Sequence, residues 1–269
     1  MLSKELYLEN LRTFENFHDF SLDVSDNTGG LKAADYLIMA NQLYVRMTLT
    51  SLSIIRLMPE NQLFPSEIQV WDFFSVASLA RNLIENYHML FFVAVEKITD
   101  EERDFRLNVL YYHQNKEKQK LYKDLGESHF DKEFDENLPT ARKALKDHPF
   151  FVKLPSGISN AILDGRKSIY LSREDISKKR GFDNKTLSAF YRLFSNHTHS
   201  SPLSFLSMSN NRGRGNENEA ELDYLTLTSH LCVKYLSAAI IDIVSLLPQC
   251  RDKIDLRKLL LIEETFKKI

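Results

Sequence analysis

The sequence predicts a mostly α fold, a multi-helix bundle with a less regular insertion. Glycine and proline, which punctuate turns and strand-rich folds, are scarce, with 8 and 7 residues among 269. Long stretches repeat apolar residues at helical spacing, and several of them begin or end at capping signals. These observations together favour long helices joined by few loops.

Four long helices are predicted in the first half of the chain. The capping box at residues 99–102 marks the clearest helix start, and Gly126 marks the matching end. Pro59 stops the second helix, and Ser66 has the chemistry of a cap for the third. The predicted helices cover residues 3–22, 31–58, 66–97 and 99–125.

The second half begins with a segment of mixed character, residues 127–172. A charged helix over 134–146 is followed there by several prolines and glycines, which predicts an irregular insertion within one helical-bundle domain of residues 1–269. Two shorter helices follow at 172–181 and 185–196, then a flexible loop at 207–218. The last long helix is predicted over 219–247, ending before Pro248, with a short amphipathic helix after it.

The composition of the chain indicates where the protein is located and which classes of partner it does not bind. A formal charge of −2 argues against a protein coated for nucleic acid or an anionic membrane but leaves a local basic groove open, so we expect no membrane partner. Two cysteines suggest no disulfide framework, and the first residues lack a signal peptide, so we expect a cytoplasmic protein. The apolar stretches 68–95 and 222–247 both carry central charges, which predicts buried helices rather than membrane spans.

A polar stripe runs along the third predicted helix, which is otherwise apolar nearly all round. Because Arg81 and Glu85 are one helical turn apart, they can form an ion pair. Two interpretations stay open: a structural pair that fixes helix register, or an arginine held ready for a phosphate or carboxylate. The other members of the stripe are Ser75, Ser78, Asn82 and His88.

A second polar group lies at residues 190–199. On a helix, Arg192, Ser195 and His199 share one face, while Leu187, Phe190, Tyr191 and Phe194 face the core. A guanidinium, a hydroxyl and an imidazole on one stripe can hold an anion or move a proton. The alternative is a frayed helix end whose histidines cap carbonyls. Asp242 is a further charge in an apolar run, and we expect it to pair with Arg81 or Arg192.

Several well-known sites are excluded by spacing, and we expect no metal and no cofactor. Nucleotide-binding glycine loops and H-E-x-x-H are absent, and His197 and His199 point apart on a helix. The acids from Asp131 resemble a calcium loop, but Glu136 and Arg142 occupy its key positions. Residues 177–187 mimic a DNA-binding helix-turn-helix, yet its second helix offers aromatic core residues, so DNA reading is disfavoured.

These residues carry two resemblances. Arg81-x3-Glu85 followed by Tyr191-x3-Ser195-x3-His199 resembles a bacterial family of helical proteins of unknown function, over roughly residues 31–247. That resemblance implies a helical bundle with a polar pocket made by these five residues, and no activity.

The second resemblance is to the HEPN ribonucleases of bacterial defence and toxin–antitoxin systems, which carry R-x4–6-H. Arg192 to His197 satisfies the spacing, although Leu193 stands where that superfamily usually has a polar residue. The resemblance implies that Arg192 binds the scissile phosphate, that His197 acts on the ribose 2′-hydroxyl without a metal, and that two chains pair as a homodimer.

Three functions of different classes follow. The first is a metal-independent ribonuclease with Arg192, Ser195, His197 and His199 as catalytic residues and Arg81, Asn82, Glu85 and Tyr191 binding RNA. The second is a non-catalytic module whose pocket binds a small anionic ligand. The third is a protein-interaction module in which the polar stripe only sets helix register.

Overall fold

The mostly α prediction is confirmed by a computed structural model, which describes residues 2–127, 131–208 and 212–268. No strand forms in these ranges; an isolated antiparallel bridge joins Trp71 and Gly215. The helices are α1 (Lys4–Thr28), α2 (Asp35–Leu57), α3 (Phe73–Leu90), α4 (Asp100–Leu125), α5 (Asp131–Asp147), α6 (Ser156–Leu163), α7 (Arg173–Arg180), α8 (Asn184–Thr198), α9 (Pro202–Leu206), α10 (Glu219–Leu246) and α11 (Leu256–Lys268). A π-helical turn at Phe91–Val95 continues α3, and 3₁₀ turns lie at Phe151–Lys153 and Pro248–Lys253.

Two compact units divide the chain: Met1–Val95 together with Ser177–Ile269, and Glu96–Ile176. The single domain with an insertion at 127–172 stays a prediction. Residues 128–130 of that insertion and 209–211 of the predicted loop lie outside the described residues.

The first unit has a four-helix core of α1, α2, α3 and α10, with α8 packed on α3 and α11 on α10. Apolar side chains at helical spacing on each core helix are fully buried, as Leu11, Tyr44, Leu83 and Leu236 illustrate. By length and composition α10 could cross a membrane, but 72% of its apolar window is buried. Such burial is typical of the core helix of a bundle.

Helix starts follow local capping chemistry. The capping box is confirmed, because the Thr99 hydroxyl accepts a hydrogen bond from the Glu102 amide at 3.2 Å and α4 ends at Gly126, with φ 74°. The predicted cap at Ser66 is wrong. Asp72 caps α3 instead, accepting from the Ser75 amide at 3.2 Å, while the Ser66 hydroxyl forms a local turn with Ile68.

The second unit packs α4 on α5 and encloses a buried arginine. Arg106 Nη2 donates to Glu96 and to Glu102, and its Nε donates to the Tyr170 hydroxyl at 2.9 Å. Two carboxylates and a hydroxyl therefore satisfy a guanidinium that is 1% exposed, which a buried charge requires.

Candidate functional site

The ion pair predicted on α3 is present, at the edge of the bundle rather than in its interior. Arg81 Nε donates to Glu85 Oε1 at 2.9 Å, one turn along the helix. The Arg81 side chain is 19% exposed and the Glu85 side chain 46% exposed. Solvent and ligands can therefore reach both groups.

Tyr191, in the middle of α8, and His199, at its end, complete this cluster. Arg81 Nε also donates to the Tyr191 hydroxyl at 3.2 Å, and the Tyr191 hydroxyl in turn donates to Glu85 Oε1. Arg81 Nη1 lies 2.9 Å from His199 Nε2. The guanidinium also lies over the Tyr191 ring, 5.1 Å from its centroid, so a cation–π contact adds to the hydrogen bonds. Arg81, Glu85, Tyr191 and His199 form what we call the Arg81 site.

The end of α8 sets the position of His199. Ser200 adopts the left-handed region at φ 47°, its amide donates to the His197 carbonyl at 3.2 Å, and the Ser201 amide donates to the Asn196 carbonyl at 3.0 Å. This is the Schellman arrangement, which usually places a glycine where Ser200 stands. His199 is the last residue before the chain turns, and it therefore leaves the helix beside Arg81.

The hydrogen bond with Arg81 determines which ring nitrogen of His199 carries a proton. A guanidinium has no acceptor, so Arg81 must donate and His199 Nε2 must accept. The His199 imidazole is therefore neutral in this arrangement, with its proton on Nδ1. The Nε2 lone pair is occupied while Arg81 donates to it, so His199 can act as a base only once Arg81 Nη1 turns to another acceptor, such as a phosphate oxygen.

Burial and Glu85 tune the other two groups. Burial of the Tyr191 hydroxyl, together with its hydrogen bond to Glu85, raises the pKa of Tyr191, so it stays a proton donor at neutral pH. Burial by itself would lower the pKa of Arg81. The hydrogen bond and charge of Glu85 outweigh that effect and raise this pKa above its ordinary value.

Asn82 lies beside the Arg81 site on α3. Its side-chain carbonyl accepts from Asn86 Nδ2 at 2.9 Å and from the Thr50 hydroxyl at 3.4 Å. Its amide nitrogen has no partner among the described residues and can donate to a ligand. Ser195 is half-buried one turn after Tyr191, and its backbone carbonyl accepts from the His199 amide at 3.1 Å.

The two residues of the HEPN-like motif are not brought together. Arg192 is exposed, whereas His197 is buried, with its ring 4.9 Å from each of the Phe73 and Phe74 rings. Five residues along an α-helix are about 140° apart around its axis, so the two side chains leave opposite sides of α8. The catalytic roles of Arg192 and His197 stay predictions, and the two residues do not share a site.

The expectation that Asp242 pairs with Arg81 or Arg192 is wrong. Asp242 accepts from Arg180 Nη2 at 3.2 Å and from the Tyr87 hydroxyl at 2.7 Å, deep in the first unit. Arg180 Nε also donates to the Tyr87 hydroxyl at 2.8 Å. Arg180 is half-buried and follows Lys178 and Lys179 in a basic run, so the sequence pattern gave no sign that it pairs with a buried carboxylate.

A second buried polar cluster escaped the sequence pattern as well. Arg212, from the glycine-rich loop, lies over the Tyr224 ring at 4.6 Å, and its Nε lies 3.5 Å from the fully buried Glu221. Burial raises the pKa of Glu221, against the opposing charge of Arg212. The only sequence signal was an arginine directly before a glycine, in a run typical of an exposed loop.

Comparison with known families gives a match to a family of unknown function, DUF5677, over residues 37–217. This range covers more than half of the chain and includes all four residues of the Arg81 site. The chain belongs to this family. A DUF5677 assignment agrees with the resemblance to a family of unknown function but tests neither its residue pattern nor the HEPN resemblance. No curated protein and no solved structure gives a significant match.

Proposed function

We propose that the chain is a metal-independent endoribonuclease that binds and cleaves RNA at the Arg81 site. The observation that carries the proposal is the contact between Arg81 and the Nε2 lone pair of His199. A cation that can bind a phosphate and a base that can accept a proton therefore lie side by side at the surface. Arg81 Nη2 has no hydrogen-bond partner among the described residues, so one edge of the guanidinium is available to a phosphate.

Each residue has a role in the reaction. When the phosphate binds, Arg81 Nη1 turns from His199 to a phosphate oxygen and frees the Nε2 lone pair. His199 Nε2 then takes the proton of the ribose 2′-hydroxyl, and the 2′-oxygen attacks phosphorus to form a 2′,3′-cyclic phosphate. Arg81 stabilises the charge that develops on the non-bridging oxygens. The bond from phosphorus to the 5′-oxygen breaks, and that oxygen takes the proton of the Tyr191 hydroxyl. The imidazolium then returns its proton to Tyr191 through solvent, which restores both groups.

Glu85 positions the other residues in this scheme. Its Oε1 accepts from both Arg81 and Tyr191, so it holds the phosphate-binding group and the proton donor in one geometry. Asn82 offers its amide to the ribose or the base. We also propose a cytoplasmic location, in keeping with two buried free cysteines, Cys232 and Cys250.

The decisive experiment is cleavage of RNA by the purified chain in EDTA. Wild type should yield products with 2′,3′-cyclic phosphate ends, and His199→Ala should lower the rate by about 100-fold or more, since it removes the base. His113→Ala, a half-exposed histidine of the second unit, is the matched control and should leave the rate unchanged. RNA that stays intact with wild type at several pH values contradicts the proposal.

A second candidate is a non-catalytic site for a small anionic ligand. It is supported by the three partners that already hold Arg81 in place, because a preorganised guanidinium binds an anion with little ordering cost. Its test is thermal stabilisation by inorganic phosphate or nucleotides that disappears in Arg81→Gln. Stabilisation without RNA cleavage favours this candidate, and the absence of both removes it.

A further inference from the structure

The second unit contains a cavity of about 490 Å³ that no part of the proposed RNA chemistry uses. Residues of α4 and α5, with Leu163 and Asp164 at the end of α6, line it. Its volume falls in the range of small-molecule sites in proteins, about 300–1,000 Å³. The cavity lies wholly within Glu96–Ile176.

One side of the cavity is apolar and held in place by the fold. Tyr112 is 3% exposed, and its hydroxyl donates to the Leu163 carbonyl at 2.7 Å, which ties α4 to α6. Phe134 and Leu138, one turn apart on α5, are buried beside it. An aromatic or aliphatic group can therefore pack here without rearranging the unit.

Two cations on the cavity wall lack a carboxylate partner. Lys116 Nζ donates to Gln119 Oε1 at 3.1 Å, and Arg142 interacts with the Tyr112 hydroxyl. Neither forms an ion pair with a described residue. Of the two lining acids, Asp164 is paired with Arg166 at 2.7 Å, and Asp135 has no ion pair with a residue that the structure describes. With Arg166 counted, three cations stand against two carboxylates at the wall, a surplus of one positive charge that suits a ligand with a single negative group.

The backbone at Gly165 lies close to the side chain of Lys116 in the cavity wall. Gly165 has φ 68°, and a Cβ built on it would lie 2.8 Å from Lys116 Cβ and Cγ. The turn at residues 164–165 consequently lies directly on the stem of Lys116 and limits where its ammonium group can go. A lysine held in this way is a preorganised anion-binding group.

We propose that this cavity binds a small amphipathic monoanion, a carboxylate with an aromatic or aliphatic body. The carboxylate contacts Lys116 and Arg142, and the apolar body packs on Tyr112, Phe134 and Leu138. This site is independent of the Arg81 site and of the function proposed for it.

Isothermal titration calorimetry of the full chain with 3-phenylpropanoate tests the proposal. We expect binding by wild type, a loss of affinity of about tenfold or more in Lys116→Gln and in Arg142→Gln, and unchanged affinity in Lys120→Gln. Lys120 is one turn away on α4, exposed and paired with Glu117 at 2.6 Å, so it is the matched control. Circular dichroism of each variant shows whether the fold is retained.

Two further measurements test the contributions of the carboxylate and of the apolar body of the ligand separately. Phenethylamine, which replaces the carboxylate by an ammonium group, should not bind, and Leu138→Trp should block 3-phenylpropanoate by filling the cavity. Absence of binding by wild type up to roughly millimolar 3-phenylpropanoate overturns the proposal. Equal binding of phenethylamine, or undiminished binding by folded Lys116→Gln and Arg142→Gln, overturns it too.

Discussion

Arg81 donates a hydrogen bond to His199 Nε2 at 2.9 Å, although 118 positions separate the two residues in sequence. Arg81 belongs to the polar stripe of α3 and His199 to the second polar group at the end of α8. Because α8 packs on α3, these two residues meet in one site. The chemistry proposed for the chain depends on this contact.

Replacing Arg81 by glutamine should abolish RNA cleavage while the matched change at Arg192 should not. Arg81→Gln removes the charge that stabilises the reacting phosphate, an effect of about 100- to 1,000-fold in rate. Arg192 is much closer to His199 along the chain than Arg81 is, but it makes no hydrogen bond or ion pair with a described side chain. The measurement is the cleavage rate at saturating RNA. A greater loss in Arg192→Gln would move the site to the HEPN-like motif.

The double variant Arg81→Leu with Glu85→Leu tests whether the ion pair serves the proposed function or only fixes the register of the helices. Both side chains are partly solvated, so the pair contributes about 0.5 kcal/mol or less and thermal unfolding should change little. RNA cleavage and anion binding should both be lost. If cleavage persists in a folded double variant, the polar stripe only sets register.

Much of the fold was predictable because its signals are local. The capping box at Thr99, the glycine at the end of α4 and the apolar spacing of α3 and α10 need no knowledge of the tertiary structure. The start of α3 was not predictable in this way. Asp72 and Ser66 are both good caps, and the choice depends on Glu221, whose carboxylate accepts from the Phe73 amide at 3.3 Å.

The site was partly predictable for a similar reason. Helical spacing places Arg81 beside Glu85, but it cannot say which distant charges meet. Asp242 looked equally suited to any arginine, and its partner Arg180 was assigned by the packing of α7 near α3 and α10. Periodicity also cannot tell that His197 is enclosed while His199, two residues later, is exposed, because that depends on where α8 ends.

Acid should destabilise the chain partly through His197. Burial, and then the charge of Arg212, lower the pKa of His197, and its Nδ1 has no partner among the described residues. The folded state therefore binds fewer protons, so this contribution to stability is complete above about pH 6.5 and is lost as the pH falls through the lower, folded-state pKa.

The measurement is the free energy of unfolding from urea titrations at about pH 7.5 and about pH 5.5. His197→Gln should lose less stability on acidification than wild type does. Some loss should remain, because burial also lowers the pKa of His18. Parallel losses in wild type and His197→Gln would contradict the assignment.

The pair of half-buried Arg180 and buried Asp242 should be far more costly to break than an exposed pair of similar geometry. Arg180→Leu leaves Asp242 in a site where burial already raises its pKa, so we expect a loss of about 3 kcal/mol. Arg166→Leu breaks the exposed pair with Asp164 and should cost about 0.5 kcal/mol or less. Adding Asp242→Leu to Arg180→Leu should recover much of the loss, since no unpaired charge then remains. Similar costs for the two single variants would contradict this distinction.

Gly165→Ala should destabilise the chain more than Gly126→Ala, although both glycines have positive φ. At Gly126, with φ 74°, a Cβ meets nothing within 4 Å, so the cost is the backbone strain alone, about 1 kcal/mol. At Gly165, with φ 68°, the same strain is joined by an overlap with Lys116 Cβ and Cγ at 2.8 Å. Because those atoms are anchored on α4, the turn must shift, and we expect a total loss of stability of about 2–3 kcal/mol, measured by thermal unfolding.

The shift of the turn should also displace the Lys116 ammonium group and weaken binding of 3-phenylpropanoate, which Gly126→Ala should leave intact. Equal unfolding temperatures for Gly165→Ala and Gly126→Ala would mean that the turn at residues 164–165 is not in close contact with Lys116. The turn would then not fix the position of the Lys116 side chain in the cavity wall.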